Sequence, residues 1–214
     1  MFVADWMTRE VVTVGPDESI SRAMHLMRDK GIKHLPVVKD GRLVGVISDR
    51  DIKAYTPSKA TSLDVYEINY LLAKAVVKEA MGVLLTTTTP ETPVEEAALT
   101  MLDGNIGCLP VLDGDVLVGI ISDRDIFRSL IDITGVRHGG HRVCVTVQDR
   151  PGSIREVTDI IRGRGFRLHG ILTSYEKVPQ GSRSVVIRTG TEGDFEAMRA
   201  ELERVYSFVR IKQG

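Results

Sequence analysis

The sequence predicts an α+β protein with two equivalent βαββα units followed by a smaller βαββαβ domain. Residues 3–52 align without a gap on residues 77–126, and this internal repeat predicts the two units. Two copies are too few for a solenoid, so we expect them to pack against each other with pseudo-twofold symmetry. Near residue 140 the pattern of strands, helices and turns changes, which predicts the separate domain.

Each copy of the repeat begins with the same predicted elements. A short β-rich stretch, residues 11–14 in the first copy and 85–88 in the second, precedes an amphipathic helix. Thr92, Pro93 and Glu95 predict the start of the second helix, as N-cap, first-turn proline and capping-box glutamate. The predicted apolar stripes are Ile20, Ala23, Met24 and Met27 in the first copy, and Val94, Ala97, Ala98 and Met101 in the second.

Two apolar runs separated by a turn follow each helix. Asp40-Gly41 in the first copy and Asp113-Gly114 in the second are typical of a hairpin turn. The second run ends in the string Ser-Asp-Arg-Asp-Ile, at residues 48–52 and again at 122–126. Ser-x-x-Asp before an apolar residue is typical of a capping box, so the string predicts a junction between a strand and a helix.

The remaining pattern sets the predicted domain boundaries. Residues 1–55 and 77–130 form the two units, and residues 56–76 form a helical insert. Residues 131–139 form a linker, within a joint that spans residues 127–140. The apolar residues assigned to the insert are Leu63, Val65, Ile68, Leu71 and Leu72.

The last domain, residues 140–214, alternates predicted strands and helices. Its predicted strands are residues 142–148, 166–175, 183–188 and 208–212, and its predicted helices are residues 153–162 and 194–205. The βαββαβ order predicts a ferredoxin-like sandwich, in which a four-stranded sheet carries its helices on one face.

Composition excludes several classes of protein. Lys and Arg number 28 against 29 Asp and Glu, so the chain lacks the basic excess that nucleic acid attracts. No basic segment leads into an apolar one at the N-terminus, and no run is long enough to cross a bilayer, so secretion and membrane insertion are not expected. Cys108 and Cys144 are too few for a disulfide framework and lack metal-ligand spacing, which favours the cytoplasm.

The string at residues 48–51 combines groups that suit a nucleotide. The first-turn amides of the helix lack partners within the helix and favour an anion. Arg50 is a fork-shaped cation suited to phosphate, and Asp51 can accept hydrogen bonds from the paired hydroxyls of a ribose. Capping explains Ser48 and Asp51 but does not explain Arg50. Both copies keep the whole string while nearby surface positions diverge, which favours binding, although the two roles can coexist.

With these residues the two copies resemble cystathionine β-synthase (CBS) domains paired in a Bateman module. In that family a Gly-h-h-(Ser/Thr)-x-x-Asp string closes each unit, and the strings that begin at Gly45 and Gly119 fit it. The resemblance implies a dimeric regulator that binds AMP, ADP or ATP in clefts between the copies, with the Asp on ribose and the hydroxyl residue near phosphate. The nucleotide-binding residues that we predict are Val12, Thr13, Lys33, His34, Pro36, Ser48, Asp49, Arg50, Asp51, Thr86, Thr87, Pro110, Ser122, Asp123, Arg124 and Asp125.

The two copies differ where the charge of the ligand should lie. Lys33 and His34 stand in the first copy where the second copy has Gly107 and Cys108. We hypothesise two unequal clefts, of which the cleft supplied by Lys33 and His34 binds phosphate more tightly. The alternative is that Lys33 is only solvated and that His34 packs at the start of a strand.

The C-terminal domain resembles an ACT domain, a fold of regulators and of enzymes of amino-acid metabolism. The resemblance rests on the string Asp149, Arg150, Pro151, Gly152, Ser153 and Ile154, between the first strand and the first helix. It implies an amino acid bound at an interface between two such domains, where Gly152 permits close approach and the helix start receives a carboxylate. An ordinary turn in a dimerisation domain explains the same residues. The order of domains resembles that of the acetoin-utilisation AcuB-like proteins.

Enzyme motifs are lacking from the sequence. Gly-x-Ser-x-Gly, the P-loop string and His-Glu-x-x-His are all missing, so we predict no catalytic residue, no metal and no cofactor beyond a regulatory adenine nucleotide. His138, His141 and Cys144 could hold a metal, but Gly139 and Gly140 between them are typical of a hinge. Two alternatives stay open: a scaffold with degenerate pockets, or a nucleotide hydrolase that uses the acidic residues of the two strings. The protein target of a regulator is not identified by the sequence.

Overall fold

The computed structural model describes residues 1–55, 65–83 and 85–214. It forms two compact units, Met1–Ile126 and Phe127–Gly214. The finer domain boundaries drawn from the sequence stay predictions. The helices and strands are α1 (Val3–Trp6), α2 (Ile20–Lys30), β1 (His34–Lys39), β2 (Arg42–Ser48), α3 (Asp49–Tyr55), α4 (Val65–Lys74), α5 (Val94–Gly104), β3 (Cys108–Asp113), β4 (Val116–Ser122), α6 (Asp123–Ile133), β5 (Arg142–Gln148), α7 (Ser153–Gly163), β6 (Leu168–Ser174), β7 (Ser182–Thr189), α8 (Phe195–Val205) and β8 (Val209–Lys212).

Each copy of the repeat contains the predicted antiparallel hairpin. β1 pairs with β2, and β3 pairs with β4. Asp40 and Gly41 form the first turn with φ angles of 50° and 77°, the left-handed conformation that tight hairpins require. The second turn is shifted from the prediction by one residue, because Asp113 still pairs with Val116 as the last residue of β3.

The predicted strands at residues 11–14 and 85–88 are wrong. Val14 forms a single parallel bridge to Val37, and Thr88 forms the equivalent bridge to Val111. Val14 donates to the carbonyl of Pro36 and accepts from Val38, so the next donor on that edge of β1 would be the nitrogen of Pro36. Proline has no N–H to give, which ends the ladder after one residue. Each repeat therefore has an αββα core with one bridging residue before it.

The helices of the repeat bury the predicted stripe with one exception. Ile20, Ala23 and Met27 of α2 are buried, whereas Met24 is 41% exposed. The close contacts of α2 run along positions 20, 23 and 27, and this leaves Met24 at the rim of the stripe. In α5 the equivalent buried residues are Val94, Ala97 and Met101, and Ala98 is half-buried.

The start of α5 differs from the predicted capping box. Pro93 occupies the N-cap position and makes no side-chain cap. The hydroxyl of Thr92 is used elsewhere, because it accepts from the amide of Thr89 at 3.3 Å. The first amide of the helix, that of Val94, donates to the carbonyl of Met1 at 3.2 Å. Backbone from the N-terminal segment therefore takes the place of the predicted side-chain cap.

The two copies are joined by reciprocal contacts that obey the repeat. Thr8 bridges to Ile120 and Gly82 bridges to Val46, and the repeat maps the first bridge onto the second. The buried side chains follow the same exchange, since Val3 and Met7 lie in the core of the second copy. Val77 lies correspondingly in the core of the first copy. This exchange confirms the predicted pair of units with pseudo-twofold symmetry.

Between the copies, the predicted helical insert is observed as α4. Leu72 is buried in the core of the first copy, as expected. Leu63 lies outside the described residues, and so do the side chains of Val65, Ile68 and Leu71.

The predicted linker at residues 131–139 is partly helical instead. α6 continues to Ile133, and a single 3-10 turn follows at Val136–His138. Residues 127–133 contain neither Gly nor Pro, so nothing in their backbone ends the helix. The helix stops where Gly135 adopts a left-handed φ of 63°.

The second unit shows the predicted βαββαβ order of elements. Its four strands form one antiparallel sheet in the order β6-β7-β5-β8. Alternate residues of β5, namely Val143, Val145 and Val147, are buried against α7 and α8 through Ile161 and Leu202. No helix within the described ranges has both the length and the apolar character that a membrane span needs.

Met27 and Met24 lie on α2 and differ in burial, so substitutions at these two positions test which face of the helix packs against the core. We expect Met27→Ala to lower the free energy of unfolding by about 2–5 kcal/mol, because the change leaves a cavity in the core. Met24→Ala should cost less than about 1 kcal/mol. Urea unfolding followed by circular dichroism measures both variants, and equal losses would contradict the observed register.

Candidate functional site

A cavity of about 490 Å³ opens in the first unit, between residues of both copies. This volume is within the range of about 300–1,000 Å³ that small-molecule sites occupy. Nine residues that the sequence predicted as nucleotide-binding line it. They are Lys33, His34, Ser48, Asp49, Arg50, Asp51, Thr86, Pro110 and Asp123.

Other predicted residues do not line this cavity. They are Val12, Thr13, Pro36, Thr87, Ser122, Arg124 and Asp125. Through the repeat, Val12 is the counterpart of Thr86, and Ser122 is the counterpart of Ser48. A second cleft built from these counterparts stays a prediction.

Sequence reasoning missed part of the lining. The missed residues are Val46, Lys53, Gly82, Leu85, Asn105, Ile106, Gly107 and Cys108. Asn105 carries one usable signal, because it ends α5 in the left-handed conformation directly before the segment in which the copies differ. Gly82 has no such signal, since its place depends on the bridge to Val46.

The string at residues 48–51 forms a complete capping box at the edge of the cavity. The amide and the hydroxyl of Ser48 both donate to Oδ2 of Asp51, at 2.8 and 2.6 Å. The amide of Asp51 donates to the Ser48 hydroxyl at 3.2 Å. Among the described residues, none donates to Oδ1 of Asp51, so that oxygen is available to a ligand. The Ser48 hydroxyl uses its own proton on Asp51 and can only accept from a ligand.

The second string makes the same cap in a more buried setting. The amide and the hydroxyl of Ser122 donate to Oδ2 of Asp125 at 3.0 and 2.6 Å. Asp125 is only 6% exposed, whereas Asp51 is half-buried. Identical strings therefore differ in how much of the carboxylate a solute can reach.

Some of the charged side chains that line the cavity form ion pairs, and others do not. Lys53 donates to Asp49 at 2.9 Å, and this hydrogen bond lowers the pKa of Asp49, which stays ionised at neutral pH. Lys33 and Arg50 make no ion pair with any residue in the described part of the chain. Two unpaired cations on one cavity wall favour an anionic ligand.

His34 and Cys108 occupy equivalent positions of the repeat and both line the cavity. Burial lowers the pKa of His34, and the carboxylates of Asp123, Asp49 and Asp51 oppose this shift only in part. Burial raises the pKa of Cys108 to about 12, so its thiol stays protonated and is a poor nucleophile or metal ligand. Of these two residues, only His34, from the first copy, can become a cation by taking up a proton.

In the second unit, the turn at residues 149–152 is held by an arginine that the sequence did not single out. Arg183 of β7 lies 3.5 Å from Asp149 and donates to the hydroxyl of Ser153 at 2.9 Å. The Arg183 side chain is 16% exposed, and its buried Nε has no hydrogen-bond partner. A buried cation therefore stands beside the predicted effector-binding turn.

The other predicted residues of this turn have structural contacts of their own. Arg150 pairs with Glu156 at 2.8 Å, and Gly152 precedes α7 with a φ of 87° that disfavours any other residue. Ile154 packs partly against the core, and Pro151 is exposed.

The suggested metal group of His138, His141 and Cys144 is wrong. The ring of His138 faces His169, whereas the ring of His141 packs against Phe166 and Phe195. In the ranges that the structure describes, no three His, Cys, Asp or Glu side chains are placed to hold a metal ion.

Comparison with known proteins locates a family match in the first part of the chain. A model of the CBS domain matches residues 3–57 and 77–132, slightly more than half of the chain. The chain is similar to the CBS domain-containing protein YhcV of Bacillus subtilis (strain 168), with 32% identity over 58% of this chain and 81% of that protein. It is also 37% identical, over 60% of its length, to a homoserine O-acetyltransferase of Methanosalsum zhilinae, but it spans only 24% of that enzyme.

Solved structures give the same relationship. A putative acetoin utilization protein (AcuB) from Vibrio cholerae is 33% identical with a TM-score of 0.54, and the match covers 64% of this chain and 95% of that one. CBSX2 in complex with AMP is 31% identical with a TM-score of 0.50, over 62% and 97% of the two chains. The CBS domain pair of MJ0100, in complex with 5′-methylthioadenosine and S-adenosyl-L-methionine, is 28% identical with a TM-score of 0.51, over 61% and 95%.

Removing the carboxylate of each capping box should lower the free energy of unfolding by a different amount. Asp51→Ala should lower the free energy of unfolding by about 0.5–2 kcal/mol, the usual cost of a lost helix cap. Asp125→Ala should cost more, by about 1–3 kcal/mol, because Asp125 is itself buried and its loss leaves the amide and hydroxyl of Ser122 without their partner. Asp49→Ala, the control, should cost only about 0.5 kcal/mol, since Asp49 has a partly exposed ion pair. Chemical denaturation ranks the three, and a larger loss for Asp51→Ala than for Asp125→Ala would contradict the burial argument.

Proposed function

This chain belongs to the CBS domain family, and from that premise we propose that its first unit is a regulatory module that binds AMP, ADP or ATP. The observation that carries the proposal is that three side chains line one cavity: Asp51, whose Oδ1 accepts no hydrogen bond from a described residue, and the unpaired cations of Arg50 and Lys33. A carboxylate suits ribose hydroxyls, and the two cations suit phosphate. CBSX2 was solved with AMP and MJ0100 with two adenosine compounds, which supports an adenine nucleotide as the ligand class.

In the proposed complex the ribose lies on Asp51 and the phosphate lies towards Lys33, His34 and Arg50. The base then lies against the segment of Leu85 and Thr86 on the facing wall. Ser48 accepts a hydrogen bond from the ligand, because its own proton is held by Asp51. The ligand is a regulatory one and not a cofactor of a reaction.

We further propose a second, weaker cleft built from the counterparts of these residues. Val12, Thr13 and Pro36 would face the base, and the string at residues 122–125 would face the ribose and phosphate. Gly107 and Cys108 supply no cation there, so this cleft should favour ligands with less negative charge.

The second unit is proposed to be an ACT domain that receives the nucleotide signal in a cytoplasmic homodimer. α6 supports the relay, because it begins at the string of the second copy and continues without a break to Ile133. Such coupling requires that the nucleotide bind two conformations with different affinities. Arg183 is proposed to receive the carboxylate of an amino acid beside residues 149–154.

A regulatory module is favoured over the two alternatives on specific grounds. A scaffold with degenerate pockets does not explain why Arg50 and Lys33 face the cavity unpaired. A hydrolase of nucleotides would need its carboxylates free for chemistry, whereas Asp49 is engaged by Lys53 and one of the two oxygens of Asp51 is engaged by Ser48. The similarity to homoserine O-acetyltransferase spans only 24% of that enzyme and so carries no argument for its activity.

Nucleotide binding should raise the thermal stability of the full chain. At a concentration of 100 times Kd, AMP, ADP or ATP should stabilise the protein by about 2.7 kcal/mol, seen as a higher Tm in differential scanning fluorimetry. Arg50→Gln should weaken binding by about tenfold or more, because a charge-assisted hydrogen bond is lost. Arg22→Gln, a change in an exposed arginine outside the cavity, should leave affinity unchanged. No Tm shift with any of the three nucleotides would favour the scaffold.

Amino-acid binding by the second unit has its own test. A panel of amino acids should contain one that raises Tm, and Arg183→Met should abolish that rise because the proposed carboxylate partner is gone. Arg199→Gln removes an exposed arginine that pairs with Glu203 on α8, and it should preserve the rise. A Tm that no amino acid moves would leave residues 149–154 as a structural turn.

A further inference from the structure

His34 occupies an unusual place in the cavity, because its ring has no hydrogen-bond partner. It begins β1 opposite Ser48, which is the first residue of the capping box. Neither ring nitrogen bonds to a residue that the structure describes, although the side chain is half-buried. Both nitrogens therefore keep their capacity to donate or accept a hydrogen bond.

The ring is held in position by the second copy. A Cβ atom on Gly107 would lie 2.9 Å from Nε2 and 3.0 Å from Cε1 of His34, closer than side chains pack. The ring thus lies against the backbone of Gly107 in the second copy, and a side chain at position 107 would force the ring to shift. This contact fixes the imidazole on the wall of the cavity.

The charges around the ring nearly balance before a ligand enters. Asp49 and Asp51 act on it from the start of α3, Asp123 from the start of α6, and Lys33 from the position directly before β1. Burial outweighs the carboxylates and lowers the pKa of His34, so the imidazole is neutral at neutral pH. Three further groups complete the surroundings, the cations of Arg50 and Lys53 and the protonated thiol of Cys108.

Two classes of ligand shift the protonation equilibrium of His34 in opposite directions. A phosphate group brings about 1.5–2 negative charges, which favour the protonated imidazole. An uncharged nucleoside brings no charge and displaces water, which deepens burial and favours the neutral imidazole.

We propose that His34 senses the charge of the ligand: its imidazole takes up a proton when a phosphate-bearing nucleotide enters the cavity and stays neutral around an uncharged nucleoside. The proposal rests on the nucleotide-binding function proposed above for the same cavity. Its consequence is that acid shifts ligand preference towards phosphate-bearing nucleotides. The affinity for such a nucleotide falls as pH rises from the pKa of free His34, which burial lowers from its ordinary value, to the higher pKa of the complex.

The test is isothermal titration calorimetry of the full chain with AMP and with adenosine, in buffers of different ionisation enthalpy between pH 6 and 8. Wild type should take up more protons with AMP than His34→Gln does, and the affinity ratio of AMP to adenosine should fall by up to about tenfold per pH unit. Free AMP titrates identically in both experiments, so the difference in proton uptake measures His34 together with its effect on the bound phosphate. His25→Gln removes an exposed histidine outside the cavity and should behave as wild type.

Nuclear magnetic resonance gives a second measurement that does not depend on how a variant folds. The imidazole signal of His34 in the wild type should titrate at higher pH with AMP bound than in the free protein, and it should show no such rise with adenosine. A His34 signal that AMP leaves unmoved would overturn the inference, as would equal proton uptake by wild type and His34→Gln. Failure of AMP, ADP, ATP and adenosine all to bind would instead overturn the proposed function.

Discussion

The exchange of two methionines between the copies holds the first unit together. Met81, at the start of the second copy, packs on Gly45 of β2, where a Cβ atom would lie 2.6 Å from its Sδ. Met7 packs in the same way on Gly119 of β4, with a corresponding distance of 2.5 Å. A side chain at either glycine would force the methionine to shift. Each copy therefore completes its core with residues that the chain delivers from the start of the other copy, and neither core is complete alone.

This exchange also creates the cavity. Gly82, the residue after Met81, forms the bridge to Val46. Leu85 and Thr86 follow in the sequence and line the cavity. The wall that faces the string at residues 48–51 thus exists only because the copies are paired. The string could combine stability with the proposed binding, since Asp51 uses one oxygen to cap α3 while the other accepts no hydrogen bond from a described residue. Repetition of the string fits both roles and does not by itself distinguish them.

Periodicity in the sequence was enough to predict most of the helices and strands, the hairpins, the pairing of the copies and the βαββαβ order of the second unit. It was not enough where one backbone atom decides, as at Pro36, whose missing N–H ends a predicted strand. For the site, the string and Lys33 and His34 were predictable because their chemistry is local. Gly82 and Arg183 were not, because their roles come from partners that are distant in sequence and that only the fold brings close.

The repeat places different residues at equivalent positions, and packing bears on one of these differences. The ring of His34 lies close to the backbone of Gly107, since a Cβ atom on Gly107 would lie 2.9 Å from Nε2 of His34. A side chain at position 107 would force that ring to shift. The difference in charge between Lys33-His34 and Gly107-Cys108 is therefore tied to the space available between the copies. The first copy supplies Lys33 as well as the imidazole of His34. The second copy supplies the backbone of Gly107 and the neutral thiol of Cys108. Asymmetry of charge in a symmetric scaffold follows from the space available where the copies meet.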